Sequence, residues 1–266
     1  MTSYLVIGHI TLDRFPDGDR PGGTALYSAV EAAHSGAETR IVTATSVECL
    51  DLAASRLRGV EVHNRVTPSP TTFAYECTDG VRIQRLTHVA PAVEAADIPQ
   101  AWLDSDIWHL APVADEVSLR LHKVIPRTAF IGITPQGWMR RVDRAGMVRQ
   151  RSWSPPAELL ARTSAIVFSD EDAPDADVSA RNWSEQGPVV VVTKGAEGST
   201  LYVDGGAGRR VPAVRVEPVS DIGAGDAFAT ALFLQLAAGA DPFTAVTTAS
   251  RRTAEVISVQ ASHSGG

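Results

Sequence analysis

The chain is poor in several things, and each scarcity removes a class of function. Only two of its 266 residues are cysteines, Cys49 and Cys77, set in different segments without metal-ligand spacing. Neither a disulfide framework nor a zinc site is expected from them; ordinary buried or half-buried thiols are. The seven histidines, His9, His34, His63, His88, His109, His122 and His263, are scattered with no H-E-x-x-H or similar pair, which disfavours a metallohydrolase. Lysine occurs only at Lys123 and Lys194, and the net charge is −7 with no basic run. Nucleic acid and anionic membrane are therefore poor partners. No apolar run is long enough to cross a bilayer and no signal-peptide pattern opens the chain, so the expected compartment is the cytoplasm. A G-x-x-x-x-G-K-[ST] loop is missing, so any nucleotide site is not of the P-loop type. Gly8-His9-Ile10 does not supply the G-x-G-x-x-G that a dinucleotide-dependent oxidoreductase needs after its first strand.

What is present is an alternation of strands and helices. Tyr4 to Gly8 is a short apolar strand, Thr24 to Ser35 has helical spacing with Gly36 as its stop, and Arg40 to Ala44 is a second strand. Val47 to Arg58 reads as a helix closed by Gly59, and Val60 to Val66 as extended chain. Thr71 to Cys77 and Val81 to Leu86 flank Thr78-Asp79-Gly80, a hairpin signal. Ile107 to Leu110, Ala129 to Ile133, Ala165 to Phe168 and Val189 to Thr193 are short buried strands separated by helical stretches. Leu201 to Val203 and Arg209 to Val216 flank a glycine turn. The pattern predicts a three-layer α/β sandwich with a mostly parallel central sheet and ligands at the carboxyl ends of its strands. With no internal repeat, low-complexity tract or linker, residues 1–266 read as a single domain.

One segment is chemically pointed. In residues 218 to 239, PVSDIGAGDAFATALFLQLAAG, the small-residue turn Gly223-Ala224-Gly225 runs into a helix that Asp226 opens and Gly239 closes. Backbone N–H groups and the positive end of the helix dipole would face one spot, which favours an anion. A carboxylate at that mouth suits a proton acceptor beside a phosphoryl group in transfer; as a bare turn, the same residues give only an N-cap. Beyond Gly239, Asp241-Pro242 is an N-cap and N1 proline for a last helix to about Ser258.

The segment closely resembles the D-T-x-G-A-G-D signature of the ribokinase-like (PfkB) carbohydrate kinase family. That resemblance implies that Gly223, Ala224 and Gly225 supply the anion hole for the transferred phosphate and that Asp226 is the base. The family's first Asp aligns with Ser220, Asp221 falling one place later, which leaves that metal or water contact open. Ser258 to Gly265 loosely resembles the family's closing segment, with His263 where a glycine is expected.

Other constellations acquire meaning from the same resemblance. Asp13, past the first strand, and the turn Gly22-Gly23 match positions that bind substrate hydroxyls and let backbone approach the substrate; Thr24 stands where an Asn is usual. Without the family they are a solvated loop and a tight turn. Only the few residues between Asp13 and Gly22 are available for lid strands, too few for a lid sheet, so a minimal lid is expected; the Thr71 to Leu86 hairpin either covers the site or packs elsewhere. Thr193, Gly195 and Gly198 match the family's nucleotide-side T-x-G-x-x-G, with Lys194 a candidate charge near the phosphates; the alternative is a simple hairpin. Ser169 and Asp172 stand for the Asn and Glu of N-x-x-E, where a carboxylate is thought to organise magnesium through water; the alternative is a polar turn before a helix at 175 to 186. Gln136 and Arg140, in a Pro-Gly loop at a strand end, are candidates for substrate or phosphate contact.

These residues together imply an ATP- and magnesium-dependent kinase acting on an alcohol of a small polyhydroxylated molecule. The short lid region and the Gly-His-Ile-Thr-Leu-Asp opening are most similar to the compact myo-inositol kinases of the family; a sugar or nucleoside acceptor, and a homodimer, stay open. The rival is a protein that keeps the ribokinase fold and pocket but has lost turnover, motivated by Ser220, Ser169 and Thr24.

Overall fold

The computed structural model describes residues 1–78, 81–216 and 222–259. Its strands, in chain order, are β1 (Ser3–Ile7), β2 (Thr11–Phe15), β3 (Gly18–Gly22), β4 (Glu38–Thr45), β5 (Val60–Val66), β6 (Thr72–Thr78), β7 (Val81–His88), β8 (Ile107–Leu110), β9 (Phe130–Ile133), β10 (Arg140–Val142), β11 (Val148–Gln150), β12 (Ala165–Ser169), β13 (Val189–Thr193), β14 (Ser199–Tyr202) and β15 (Arg209–Val211). The helices are α1 (Thr24–His34), α2 (Val47–Ala53), α3 (Ala157–Leu160), α4 (Ala176–Ser184), α5 (Ala224–Ala237) and α6 (Pro242–Val259).

Nine strands form the central sheet in the order β15-β14-β13-β12-β9-β8-β1-β4-β5. Every pair from β13 to β5 is parallel, and β14 and β15 add antiparallel at the edge. The period of two along a strand sends Leu5 and Ile7 to one face and Tyr4 and Val6 to the other. On the Tyr4 face, β-sheet residues pack against α1, α2, α5 and α6. On the Leu5 face they meet α3, α4 and a group of tryptophans, Trp108, Trp138, Trp153 and Trp183. The expected three-layer sandwich is the fold.

The second layer is less helical than the sequence predicts. Between β8 and β12 the chain makes 3₁₀ turns at 121–123 and 135–137, the β10–β11 hairpin and the four-residue α3, where helical stretches were expected. Pro112, Pro126, Pro135, Pro155 and Pro156 interrupt any longer helix there. Stacked Trp138 and Trp153, with centroids 5.0 Å apart, and Trp183 set edge-on against Trp153 at 5.3 Å, fill the layer in the helices' place. Likewise α2 ends at Ala53, and tighter turns carry the chain to Gly59, whose φ of +79° makes the stop.

The lid expectation is corrected. Residues 11 to 22 do form strands: β2 and β3 pair antiparallel from Thr11↔Gly22 to Phe15↔Gly18, leaving only Pro16 and Asp17 as the turn. Ten paired residues and a two-residue turn suffice for a hairpin, which by itself would be marginal. Its stability comes from a neighbour that local reading cannot supply. β2 lies parallel to β6, so the two hairpins join as one four-stranded sheet, β3-β2-β6-β7. Period-two alternation then puts Thr11, Asp13, Phe15, Phe73 and Tyr75 on one face, over the carboxyl ends of the central strands. Thr78 pairs with Val81 as the hairpin signal predicts, although Asp79 and Gly80 themselves lie outside the described residues. Among the described residues no helix is long and apolar enough to cross a membrane.

Candidate active site

A cavity of about 1080 Å³ lies between the four-stranded sheet and the carboxyl edge of the central sheet. It reaches or exceeds the upper end of the range of roughly 300–1,000 Å³ usual for one ligand, so it has room for two. At its middle is the N-terminus of α5. Gly223 caps that helix in the left-handed conformation, φ +80°, and a Cβ there would meet the Tyr27 ring at 2.7 Å. A side chain is excluded on both counts. Helix geometry leaves the N–H groups of Ala224, Gly225 and Asp226 without intrahelical acceptors. Gly225 presents its Cα to open space, and all four residues line the cavity.

Asp226 does not open the helix, as the sequence suggested; it is the third helical residue, and α5 has no side-chain cap. Its carboxylate is turned to the cavity, where Thr24 hydrogen-bonds it. Burial pushes the Asp226 carboxyl up to about 7, while the Thr24 bond and the Arg140 charge pull it down and the Asp172 charge pushes it up. A carboxylate titrating there is matched to proton transfer near neutrality. Thr24 thus touches the acid itself, at the first residue of α1.

The glycine pair before Thr24 has a mechanical reason. A Cβ on Gly22 would sit 2.3 Å from Asp13 Oδ2, and one on Gly23, whose φ is +94°, 2.3 Å from His9 O. Asp13 therefore packs directly against Gly22, and Thr11 Oγ1 donates to its Oδ1 at 2.9 Å. Arg140 also lines the cavity. Its Nη1 donates to Val113 O at 3.1 Å and its guanidinium lies 5.5 Å from the Phe73 ring centroid. Burial lowers its proton affinity, and the charges of Asp172, Tyr75, Glu116 and Asp13 oppose that. Gln136 also lines the cavity, and its Nε2 donates to Asp172 Oδ1 at 3.2 Å.

The far end is built by Thr193, Gly195, Ala196 and Gly198, by residues 213–216, and by α6 through Thr253, Ala254 and Ile257. Gly198 has φ +98°, and a Cβ there would strike Val211 O at 2.1 Å, so glycine is required; Gly195, φ +52°, faces open space. Ser169 lines the same end.

One expectation fails on geometry. Lys194 does not face the cavity: its Nζ donates to Asp177 Oδ2 of α4 at 2.7 Å, and the Tyr202 hydroxyl donates to Asp177 Oδ1 at 2.8 Å. The ion pair holds the ammonium against the helix. Asp172 stands one residue back from the cavity: Oδ2 accepts from Ser169 N at 2.9 Å and Oδ1 from the lining Gln136, and its charge is felt by Asp226 and Arg140. Among the described residues no three carboxylate, imidazole or thiol side chains converge to cage a metal. Ser220, Asp221, His263 and Gly265 lie outside the described residues. Cys49 is a buried free thiol, as expected of an ordinary one.

Tyr27, Phe15, Phe73, Tyr75 and Gln84 line the cavity without any mark in the sequence. The only usable signal was the period-two alternation of 11–15 and 73–75, which becomes meaningful once both hairpins share a sheet.

A family model described as "pfkB family carbohydrate kinase" matches residues 159–264. A cytidine kinase of Thermococcus kodakarensis is 28% identical over 259 residues, 86% of this chain and 86% of that one. An inositol 3-kinase of Oryza sativa subsp. japonica is 40% identical over 153 residues, 54% of this chain and 36% of that one. A solved structure of a pyrophosphate-dependent myo-inositol-1 kinase, converted to a myo-inositol-3 kinase by two substitutions, shares the fold with a TM-score of 0.81 at 18% identity, covering 96% of this chain and 92% of that one.

Proposed function

We propose, from the premise that this chain belongs to the ribokinase-like (PfkB) carbohydrate kinase family, that it transfers the γ-phosphate of ATP to a hydroxyl of a small polyol or sugar, a cyclitol such as myo-inositol being the leading acceptor. The observation that carries this reading is the Asp226 carboxylate, raised to about 7, beside the free amides of α5 and between two chemically different ends of one cavity.

The roles follow from position. Asp226 would take the proton of the attacking hydroxyl while Thr24 fixes its orientation. The amides of Ala224 and Gly225, with that of Asp226, would hold charge growing on the transferred phosphoryl oxygens. Asp13 would accept hydrogen bonds from acceptor hydroxyls, Gly22 and Gly23 letting that carboxylate and the α1 N-terminus come close. Arg140 and Gln136, which line the same cavity, would contact the acceptor as well.

A compact polyol rather than a nucleoside is supported by the aromatic groups of the lid. Phe15 and Tyr75 stack on each other, centroids 4.7 Å apart and planes within 8°. Arg20 covers Phe15 at 4.9 Å and Arg140 lies over Phe73. These contacts occupy ring faces that a base would need for stacking. ATP rather than pyrophosphate is supported by the far end, where Ala196, Ala213, Val214 and the α6 residues Ala254 and Ile257 give an apolar wall beyond Gly225 that a bare pyrophosphate would not use.

Magnesium fits as a cation held mostly by donor phosphates and water. Asp172 is the carboxylate able to reach it through water, and its own oxygens are already engaged. Bound there, the ion would neutralise phosphate charge.

The test is phosphotransfer with ATP and with pyrophosphate against a panel of polyols, sugars and nucleosides. Acceptor-dependent ADP release with a polyol or sugar supports the reading. ATP binding without transfer to any acceptor would favour the fold as a binding protein.

A further inference from the structure

Behind the acceptor end lies a buried carboxylate that no part of the reading above uses. Glu116, 2% exposed, gives its oxygens to main-chain N–H groups from two segments. Oε1 accepts from His9 N at 3.1 Å and Val113 N at 3.0 Å, and Oε2 from Val113 N at 3.0 Å and Ala114 N at 2.7 Å. His9 is the residue from which the chain turns into β2 and so into Asp13. Val113 is the residue whose carbonyl holds Arg140. One side chain thus fastens together the supports of two cavity-lining groups, Asp13 and Arg140.

The His9 ring extends the same seam to the other lid hairpin. Nε2 lies 3.1 Å from Pro91 O, which only accepts, so the proton sits on Nε2 and Nδ1 accepts from the Thr71 hydroxyl at 2.7 Å. Thr71 Oγ1 in turn accepts from Ala90 N at 2.9 Å. Burial disfavours the charged imidazole, in agreement with that neutral tautomer, and Glu116 opposes the shift. Residue 9 enters β2, residue 71 enters β6 and residues 90–91 follow β7, so three crossings into the lid meet at this point.

We propose that Glu116, backed by the His9–Thr71 pair, is a positioning residue for the acceptor, holding the root of the lid and the main chain under Arg140 in one frame. The proposal rests on the kinase reading for its consequence, though not for its mechanics. Losing the frame lets Asp13 and Arg140 drift apart, which weakens acceptor binding while the far end, built on β13, β14 and α6, is untouched. Small misplacements of positioning groups cost rate and affinity steeply.

Glu116→Gln is the sharp test, because in either orientation its NH₂ opposes a main-chain N–H that now has an acceptor. Hydrogen exchange should accelerate at least about tenfold in 11–22 and 72–88 with the β1, β8 and β13 amides unchanged. The acceptor KM, measured with myo-inositol and with cytidine, should rise at least about tenfold, with a smaller loss of kcat and an ATP Kd within twofold of the parent. Exchange needs no substrate, so it reads the frame even if the parent phosphorylates neither compound; failure of the kinase reading and failure of this one are thereby separate. Should Glu116→Gln not fold, Thr71→Val cuts the other half of the seam at nearly constant shape and should give the same pattern on a smaller scale. Unchanged lid exchange in a folded variant overturns the proposal. So does a loss shared equally by kcat and ATP affinity at constant acceptor KM.

Discussion

The middle of the cavity and its lid end do comparable work by different means. At the α5 terminus, four consecutive residues, Gly223 to Asp226, supply donors, dipole and acid, because a helix start concentrates orphan amides within one turn. At the lid end, Asp13, Phe73, Gln84, Val113 and Arg140 come from separate segments and meet only through a four-stranded sheet and the Glu116 seam. A site made of one turn is hard to misplace and easy to abolish by one substitution. A site made of many segments tolerates single losses but depends on everything that sets its geometry.

The largest effect expected from testing that contrast is at the turn. Asp226→Asn keeps shape and takes no cap away, since the side chain makes none. It should lower kcat roughly 10²- to 10⁴-fold in a steady-state assay with ATP binding retained; turnover within a few-fold of the parent would remove Asp226 as the base. The same variant carries a stability signature. A carboxyl whose pKa is raised in the folded state binds its proton more tightly there than in the unfolded chain, so the parent loses stability as pH rises from about 4 to about 7. The Asn variant should therefore melt above the parent at pH 8, and the gap should close toward pH 4.

At the lid end a single loss should be milder. Asp13→Ala should raise the acceptor KM by roughly 10- to 100-fold, the worth of about 1.5–3 kcal/mol for hydrogen bonds to a charged group, while calorimetry finds ATP affinity unchanged. An unaltered KM would take Asp13 out of the site and leave the turn as the whole of recognition.

Gly195→Val asks whether the far end is a nucleotide wall or just a turn. At φ +52° a side chain costs about 1–2 kcal/mol of backbone strain, and it would project into the cavity. ATP affinity should fall at least about tenfold and stability only by that strain; parallel losses in calorimetry and melting would leave a structural turn.

The smallest effect is expected from Thr24→Val, which removes a bond that holds the Asp226 carboxyl down. The pH dependence of kcat/KM for the parent should lose about tenfold per unit below an apparent pKa near 7, because the base must be deprotonated. In the Val variant that limb should move upward by less than about one unit. A downward move would contradict the assigned direction of the hydrogen bond.

How much of this was legible follows the same division. Strand and helix positions along the central sheet were readable because apolar runs of β1, β8 and β13 are bounded by their own turn residues. The turn at Gly223 was readable because all its parts are adjacent. The β2–β3 pair was missed because twelve residues carry no mark of a partner 60 places later in the chain. Lys194 was misplaced because only folding brings Asp177 under its ammonium.

The sequence by itself determined the layered α/β arrangement and the anion-seeking helix start, since both depend on periodicity and contiguity along the chain. Tertiary structure alone decided that Thr24 hydrogen-bonds Asp226, that Arg140 lies over the Phe73 ring, and that Glu116 collects the amides of His9, Val113 and Ala114. Those relations join residues remote in sequence through buried contacts, whose partners are chosen by desolvation in the folded interior and have no counterpart in local residue pattern.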